Sequence, residues 1–379
     1  LSTYYVVGAL GNEWVFPTHE GYLRNMSAIT KLVSKTKQAN KTFYRTERLE
    51  AQTGNDSMKF NYNGISQFSS IRNTASSSTL DRLGFKSEGT NLNLRYQNNT
   101  IIADSLFGIK YNLSNFDLNK YGFNHVTSEK TIGLYQNNNA SQLAILTDGI
   151  YNNIDFTVNT LDNQTSLLNT LSGLNLTYFK RAPSQLFDKD ARSLNQRVTK
   201  NVSNSNKDFV TITYRVIAPP HSQLYVSIPN ISWSDDNNHS LSITVNGMTK
   251  NQVTDNTFDF FDLGYFETES MVTIKLSFPG NKAISFDNPS FYALDTQNYQ
   301  IAMDTINERD SKVTTSKNKV FVDYSSKTNA SLFFTIPYDK GWTATINHKK
   351  VKIQRAQKGF MKVDVPSGKG KVVLTFIPY

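Results

Sequence analysis

Polar and apolar positions alternate along much of this chain, and the alternation is strongest after Phe209. Stretches 210–217, 223–228, 241–245, 257–263 and 271–278 carry the two-residue period of strands that lay one face on a core. Asn246-Gly247 supplies the two-residue hairpin signal between two such runs. Regular strands with turn signals between them predict a β-sandwich, jelly-roll-like in layout. Further on, Ala344 and Ile346, then Val351 and Ile353, flank the polar corner Asn347-His348-Lys349-Lys350. Phe360, Val363 and Val365 precede the turn Pro366-Ser-Gly-Lys-Gly370, and 372–377 forms a last apolar strand. These stretches predict a small C-terminal β module.

Helical period is confined to short stretches. Tyr22, Met26, Ile29 and Val33 share one face of a helix. Residues 76–83 read as a capped helix ended by Gly84, and 101–106 as another helical turn. Leu167, Leu168 and Leu171 mark a helix over 163–171, and Tyr299, Met303 and Ile306 mark one over 295–310. Strands are expected at 42–50, 108–113 and 130–136, whereas 180–208 is polar and reads as a surface excursion. The whole is an α+β, β-rich multidomain chain. A mixed α/β domain (1–155) is followed by the sandwich (156–294), then by a linking helix with the C-terminal module (295–379).

Composition narrows the chemistry. There is no cysteine among the 379 residues, so disulfides and thiolate metal sites are excluded. No run reaches the roughly 18 apolar residues of a membrane span. The chain opens Leu1-Ser-Thr without the marks of a signal peptide, and it reads as an excised segment. The five histidines are dispersed, and no P-loop, dinucleotide fingerprint, GxSxG elbow or HExxH is present. Asp255, Asp259 and Asp262 cluster, but not at the spacing of a calcium-binding loop.

The net charge of +9 is unevenly placed. From residue 311 onward there are thirteen Lys and Arg against three Asp, while the other 310 residues carry 27 basic and 28 acidic groups. Lys340, Lys349, Lys350, Lys352, Arg355 and Lys358 are therefore candidate contacts for a polyanion or an anionic membrane surface. Lys352, Lys362, Lys369 and Lys371 have the spacing of outward-facing strand residues, which fits a solvated face equally well. Nucleic acid is not expected, because aromatic residues do not interleave with the basic ones.

A second candidate lies near the N-terminus. Arg45, Glu47, Asn55, Asp56, Tyr62 and Arg72, with Ser69 and Ser70, gather polar groups within a short stretch. Buried, they form a satisfied structural network; exposed in a cleft, they hold a sugar or a phosphate. Tyr338 and Trp342 are candidates for stacking on a sugar ring, although a Trp in a small β module also serves a core.

The stretch Ile336-Pro-Tyr-Asp-Lys-Gly-Trp-Thr-Ala-Thr-Ile346 and the tail to Tyr379 resemble the end of the extracytoplasmic region of the YfhO family. Phe43-Tyr-Arg-Thr-Glu47, Asn55-Asp56, Tyr62-Asn-Gly-Ile-Ser-Gln-Phe-Ser-Ser70 and Asp104-Ser-Leu-Phe-Gly-Ile-Lys-Tyr111 agree with it in order. Asn347-His348 departs from the Asp-Gly or Asn-Gly usual at that turn. The resemblance implies a bacterial polytopic membrane protein of the GT-C type. It would transfer a sugar from a polyprenyl-phosphate carrier to a cell-wall polymer such as lipoteichoic acid. Under that reading this segment lies on the extracellular side of a Gram-positive cytoplasmic membrane, between a helical bundle of the same polypeptide and a final span. Both its ends then face the membrane. It carries no catalytic residue, metal or cofactor of its own, and positions the acceptor or caps the membrane active site. A stand-alone carbohydrate-binding or adhesive module, and a glycosidase using paired carboxylates, are the alternatives.

Overall fold

The computed structural model describes residue 20 and residues 23–68, 73–85, 93–96, 99–188, 192–194, 197–200, 209–233, 240–254, 260–279 and 284–378. It is 43% strand and 20% helix, in several sheets. Six helices are described: α1 (Met26–Ala39), α2 (Asp56–Phe60), α3 (Thr74–Arg82), α4 (Ile101–Leu106), α5 (Thr160–Ser172) and α6 (Thr296–Asn307).

The helices start where side chains can cap them. Asn73 accepts from the Ser76 N–H, Thr100 from Ala103, Asn159 from Leu161 and Asp162, and Asp295 from Gln297 and Asn298. Gly173 ends α5 at φ 72°, the left-handed closure that glycine makes without a Cβ clash.

In the first sheet the strands run in the order Arg45–Arg48, Ile109–Ser114, Ile132–Asn137, Phe123–Glu129, the first pair parallel and the others antiparallel. Its apolar face takes Ala28, Ile29, Leu32 and Val33 of α1 against Tyr111, Leu113, Ile132 and Leu134. The expected strand at 130–136 is thus one arm of a hairpin whose other arm, Phe123–Glu129, has mostly exposed side chains and gave no period.

The sandwich is present. Phe179–Arg181, Ser290–Asp295, Ser222–Ser227 and Phe260–Phe266 form one sheet. Facing it are Phe209–Ala218, Ser270–Pro279, Ser240–Val245 and Met248–Val253, with Ser184–Leu186 added at one edge. All pairs are antiparallel, and the chain passes between the sheets in jelly-roll order. Ile212, Val216, Ile243, Ile274 and Leu276 meet Leu224, Val226, Phe261 and Phe291 between them. Residues 180–208, read as a polar excursion, contain short strands: Phe179–Arg181 and Ser184–Leu186 join the two sheets, and in a small one Arg192–Leu194 pairs with Arg197–Lys200, which pairs with Ile284–Asp287.

The C-terminal module is a second sandwich. Ser311–Ser316, Lys319–Ser326, Gly368–Phe376, Trp342–Ile346 and Lys349–Val351 make one sheet. Gln354–Ala356, Phe360–Val365, Ala330–Phe334 and Ala144–Leu146 make the other. The last of these strands comes from far upstream, pairing Ile145 with Phe333. Between the three β units lies a helical core: Ile102 and Leu106 of α4, Leu167, Leu168 and Leu171 of α5, Tyr299, Met303 and Ile306 of α6. Tyr225 and Phe260 of the first sandwich and Phe333 and Phe360 of the second enter the same core.

Asn347 and His348 form the two-residue turn between Ile346 and Lys349, with φ of 47° and 68°. Both angles lie in the left-handed region, as a type I′ turn requires. Asn347 tolerates it, and its backbone and side chain both bond to Lys371. The exposed His348 bears the steric cost of a Cβ there. Substituting His348→Gly should stabilise the chain by roughly 0.5 kcal/mol, the relief exceeding glycine's extra unfolded-state entropy. A higher urea midpoint at unchanged slope is the expected readout.

Candidate polyanion face and buried polar network

The strand Arg45–Arg48 is buried along its whole length. Arg45 donates to the carbonyl oxygens of Phe107 and Thr335, both at 2.7 Å, and to Thr335 Oγ1 at 3.1 Å. It therefore ties the first sheet to the C-terminal sandwich. Burial brings its guanidinium down to about 10, with Glu47 pulling it back up, so it stays charged at neutral pH. Glu47 Oε1 accepts the backbone N–H groups of Ile65 and Ser66. Burial pushes this carboxyl up to about 7, against those hydrogen bonds.

Arg48 meets Asp56 at 3.1 Å with both side chains buried. Asp56 also accepts from the N–H groups of Gln52 and Thr53 and from the Thr53 hydroxyl. Tyr62 packs beside α1, and burial raises its phenol above the usual range. Asn55 sits at the start of α2, where its carbonyl accepts from Met58 and Lys59. Arg72, Ser69 and Ser70 lie outside the described residues. The structure thus buries Arg45, Glu47, Arg48 and Asp56, pairs Arg48 directly with Asp56, and gives Arg45 and Glu47 separate hydrogen-bond partners of their own.

A second interior network is one the sequence did not disclose. Lys120 Nζ lies 2.6 Å from Asp104 Oδ2, with side-chain exposures of 5% and 0%. Tyr96 donates to Asp104 Oδ1 at 2.7 Å, and Lys120 donates to Asn112 Oδ1 at 2.8 Å. The ammonium also sits 4.2 Å from the centre of the Phe123 ring. Asp104 belongs to a recognisable motif, but its partner comes from a loop that carries no signal.

The basic excess separates onto two sheets. Cross-strand register places Lys312, Asp323 and Lys371 in one row, Lys350 opposite Thr345, and Lys319 opposite Thr375. Alternation adds Lys369, so five lysines and one aspartate share the outer face of the five-stranded sheet. Lys371 reaches Asp323 at 3.7 Å, both largely exposed. Of the six basic residues singled out in the sequence, Lys350 alone is a strand residue of this face. Lys349 and Lys352 lie at its Lys349–Val351 edge, and Lys340 in the turn before Trp342. Arg355 and Lys358 belong to the opposite sheet, where Arg355 covers the Tyr338 ring at 4.0 Å. Trp342 packs on Phe376 at 5.1 Å, and Trp342 and Tyr338 both border the module's core. Lys362 corrects the outward reading. It is buried, because residues 147–154 cover that face and its ammonium donates to the Tyr151 carbonyl at 2.7 Å and to Asp364 at 3.0 Å.

Among the described residues no three His, Asp or Glu are placed to hold a metal. Asp255 and Asp259 lie outside them. No described helix is long and apolar enough to cross a membrane.

The family model described as "Bacterial membrane protein YfhO" matches residues 1–379. The chain belongs to the YfhO family. A relative, "Uncharacterized protein YfhO" of Bacillus subtilis, is 26% identical over 115 residues, which is 28% of this chain and 13% of that protein. The match therefore spans a small part of that YfhO protein's length. Among solved structures, a family two carbohydrate esterase from Cellvibrio japonicus is 13% identical over 30% of this chain and 33% of its own, at a TM-score of 0.18. The arabinofuranosyltransferase AftD from Mycobacteria is 12% identical over 39% of this chain and 12% of its own, at 0.17. Scores this low say nothing about the chemistry of a YfhO-family chain.

Proposed function

We propose that this chain is the extracytoplasmic part of a membrane glycosyltransferase and holds an anionic cell-wall polymer, of the lipoteichoic acid kind, for glycosylation. In this reading the membrane bundle of the same polypeptide takes a sugar from a polyprenyl-phosphate carrier. The present chain performs no bond-making step and presents the acceptor. Membership in a membrane-protein family supports the setting. The observation that carries the reading is the outer face with Lys312, Lys319, Lys350, Lys369 and Lys371 against a single Asp323. Such a face attracts a flexible chain of phosphates by summed Coulomb interaction and by release of its counterions. It needs no pocket, which suits a polymer of repeating units.

Titration with poly(glycerol phosphate) should show binding that weakens steeply between about 20 and 200 mM salt, as the Debye length shrinks. The triple variant Lys350→Ser/Lys369→Ser/Lys371→Ser should bind at least about tenfold more weakly, each lysine being worth about 1 kcal/mol near a polyanion. Affinity indifferent to salt, or unchanged in the triple variant, removes the proposal.

A further inference from the structure

We infer that the cleft between the first sheet and the Ser240–Val253 side of the jelly roll is a binding site for one ring of a neutral sugar. It lies apart from the lysine face. The cavity has a volume of about 250 Å³. One wall comes from Glu50, Asn99, Phe116 and Lys120, the other from Lys250, Asp262 and Phe266.

Two buried residues, one in each wall, have side-chain atoms without a hydrogen-bond partner. Asn99 is 6% exposed, and neither its amide oxygen nor its amide nitrogen is hydrogen bonded. Asp262 Oδ1 accepts from Gln223 Nε2 and the Gly264 N–H, both at 2.8 Å, yet Oδ2 accepts nothing. An orphaned buried amide or carboxylate oxygen costs stability that a folded chain otherwise avoids. The missing partner must both accept from Asn99 Nδ2 and donate to Asn99 Oδ1 and Asp262 Oδ2. Hydroxyl groups do both, and a ring bearing several of them can serve the two residues at once.

Charge sets the class more narrowly. Glu50 and Asp262 contribute two carboxylates, and Lys120 and Lys250 two ammonium groups. Lys120 is already held by Asp104 at 2.6 Å. No positive charge is left over for a phosphate or a uronate, so an anion is disfavoured here, in contrast to the lysine face. Phe116 and Phe266 add the apolar surface against which the C–H side of a sugar ring packs.

The test is saturation-transfer NMR on this 379-residue chain with glucose, galactose, mannose and N-acetylglucosamine, and with glucuronate, whose ring protons are observable, as the anionic control. At least one sugar should receive saturation and glucuronate none. Asn99→Leu and Asp262→Leu should each weaken that sugar by about tenfold or more. Met248→Trp, at an exposed position on the cleft's rim, should block it without touching the core, which covers the case of a core variant that fails to fold. The lysine triple variant should bind the sugar normally, so a failed polymer proposal and a failed cleft proposal give different patterns. Saturation of none of the four sugars, meaning a cleft filled by water alone, overturns the inference. So does a sugar signal that survives both Asn99→Leu and Met248→Trp.

Discussion

Replacing Asp104 with alanine should destabilise the chain by roughly 3–5 kcal/mol, the typical result of stranding one member of a buried ion pair. The carboxylate has a side-chain exposure of 0% and meets Lys120 Nζ at 2.6 Å. Without it, the ammonium's remaining direct contacts include the Asn112 side-chain oxygen, the Tyr96 hydroxyl and the ring face of Phe123. None of these carries a full countercharge. Asp104 sits on α4, whose other side packs in the central core, and Lys120 leads into the strand Phe123–Glu129. The pair therefore holds the helical core against the first sheet. Asp104→Ala combined with Lys120→Met should recover much of the loss, since removing both charges also removes the desolvation penalty. Separating Lys371 from Asp323 makes the contrast. That pair is exposed, 3.7 Å apart, and worth at most about 1 kcal/mol. Urea unfolding of Asp104→Ala, of the double variant and of Asp323→Ala checks this; an Asp104→Ala cost near that of the surface pair would show the buried pair to be dispensable.

What could be read in advance was local. Residues 101–106 are a helix because Thr100 caps an apolar run, and the fold places it at Ile101–Leu106. Tyr299, Met303 and Ile306 repeat at helical spacing because they face one core. Asn246-Gly247 turns between strands paired Val245 to Met248, with φ of 48° and 84°. The sandwich followed from alternation of this kind. Ala144–Leu146 could not be found that way. It is three apolar residues with no polar position between them, and its place is set by pairing with Ala330–Phe334. Alternation also says which residues share a face but not what covers that face, and so Lys362 was misread. The same limit applies to the sites. The charge count located an excess after residue 310, while strand register was needed to separate Lys312, Lys319, Lys369 and Lys371 from Arg355 and Lys358. Asn99 is one asparagine in a chain rich in them, and only its burial without a partner singles it out.

Stability should fall as pH rises from about 4.5 to about 7, and Glu47 should be the main cause. Its folded-state carboxyl is raised from its ordinary value of 4.5 to about 7 by burial, with the charge of Asp104 acting in the same direction. The folded chain then binds a proton that the unfolded chain has already released, so its advantage is fully present below 4.5 and disappears through 7. At about 1.4 kcal/mol per unit, the change is on the order of 3 kcal/mol. Glu50 and Asp262, also raised by burial, slope the same way. Asp364 is held low by Ser331, Lys362 and Gln354 despite its burial, and it acts in the opposite sense at more acid pH. Glu47→Gln isolates the main term, because the amide oxygen can still accept from Ile65 and Ser66 while no charge develops. The variant should match the wild-type urea midpoint near pH 4.5, exceed it at pH 8, and show a flatter profile between. Parallel profiles for the two proteins would mean that Glu47 titrates as an ordinary carboxylate and that the strand Arg45–Arg48 carries its charge without cost.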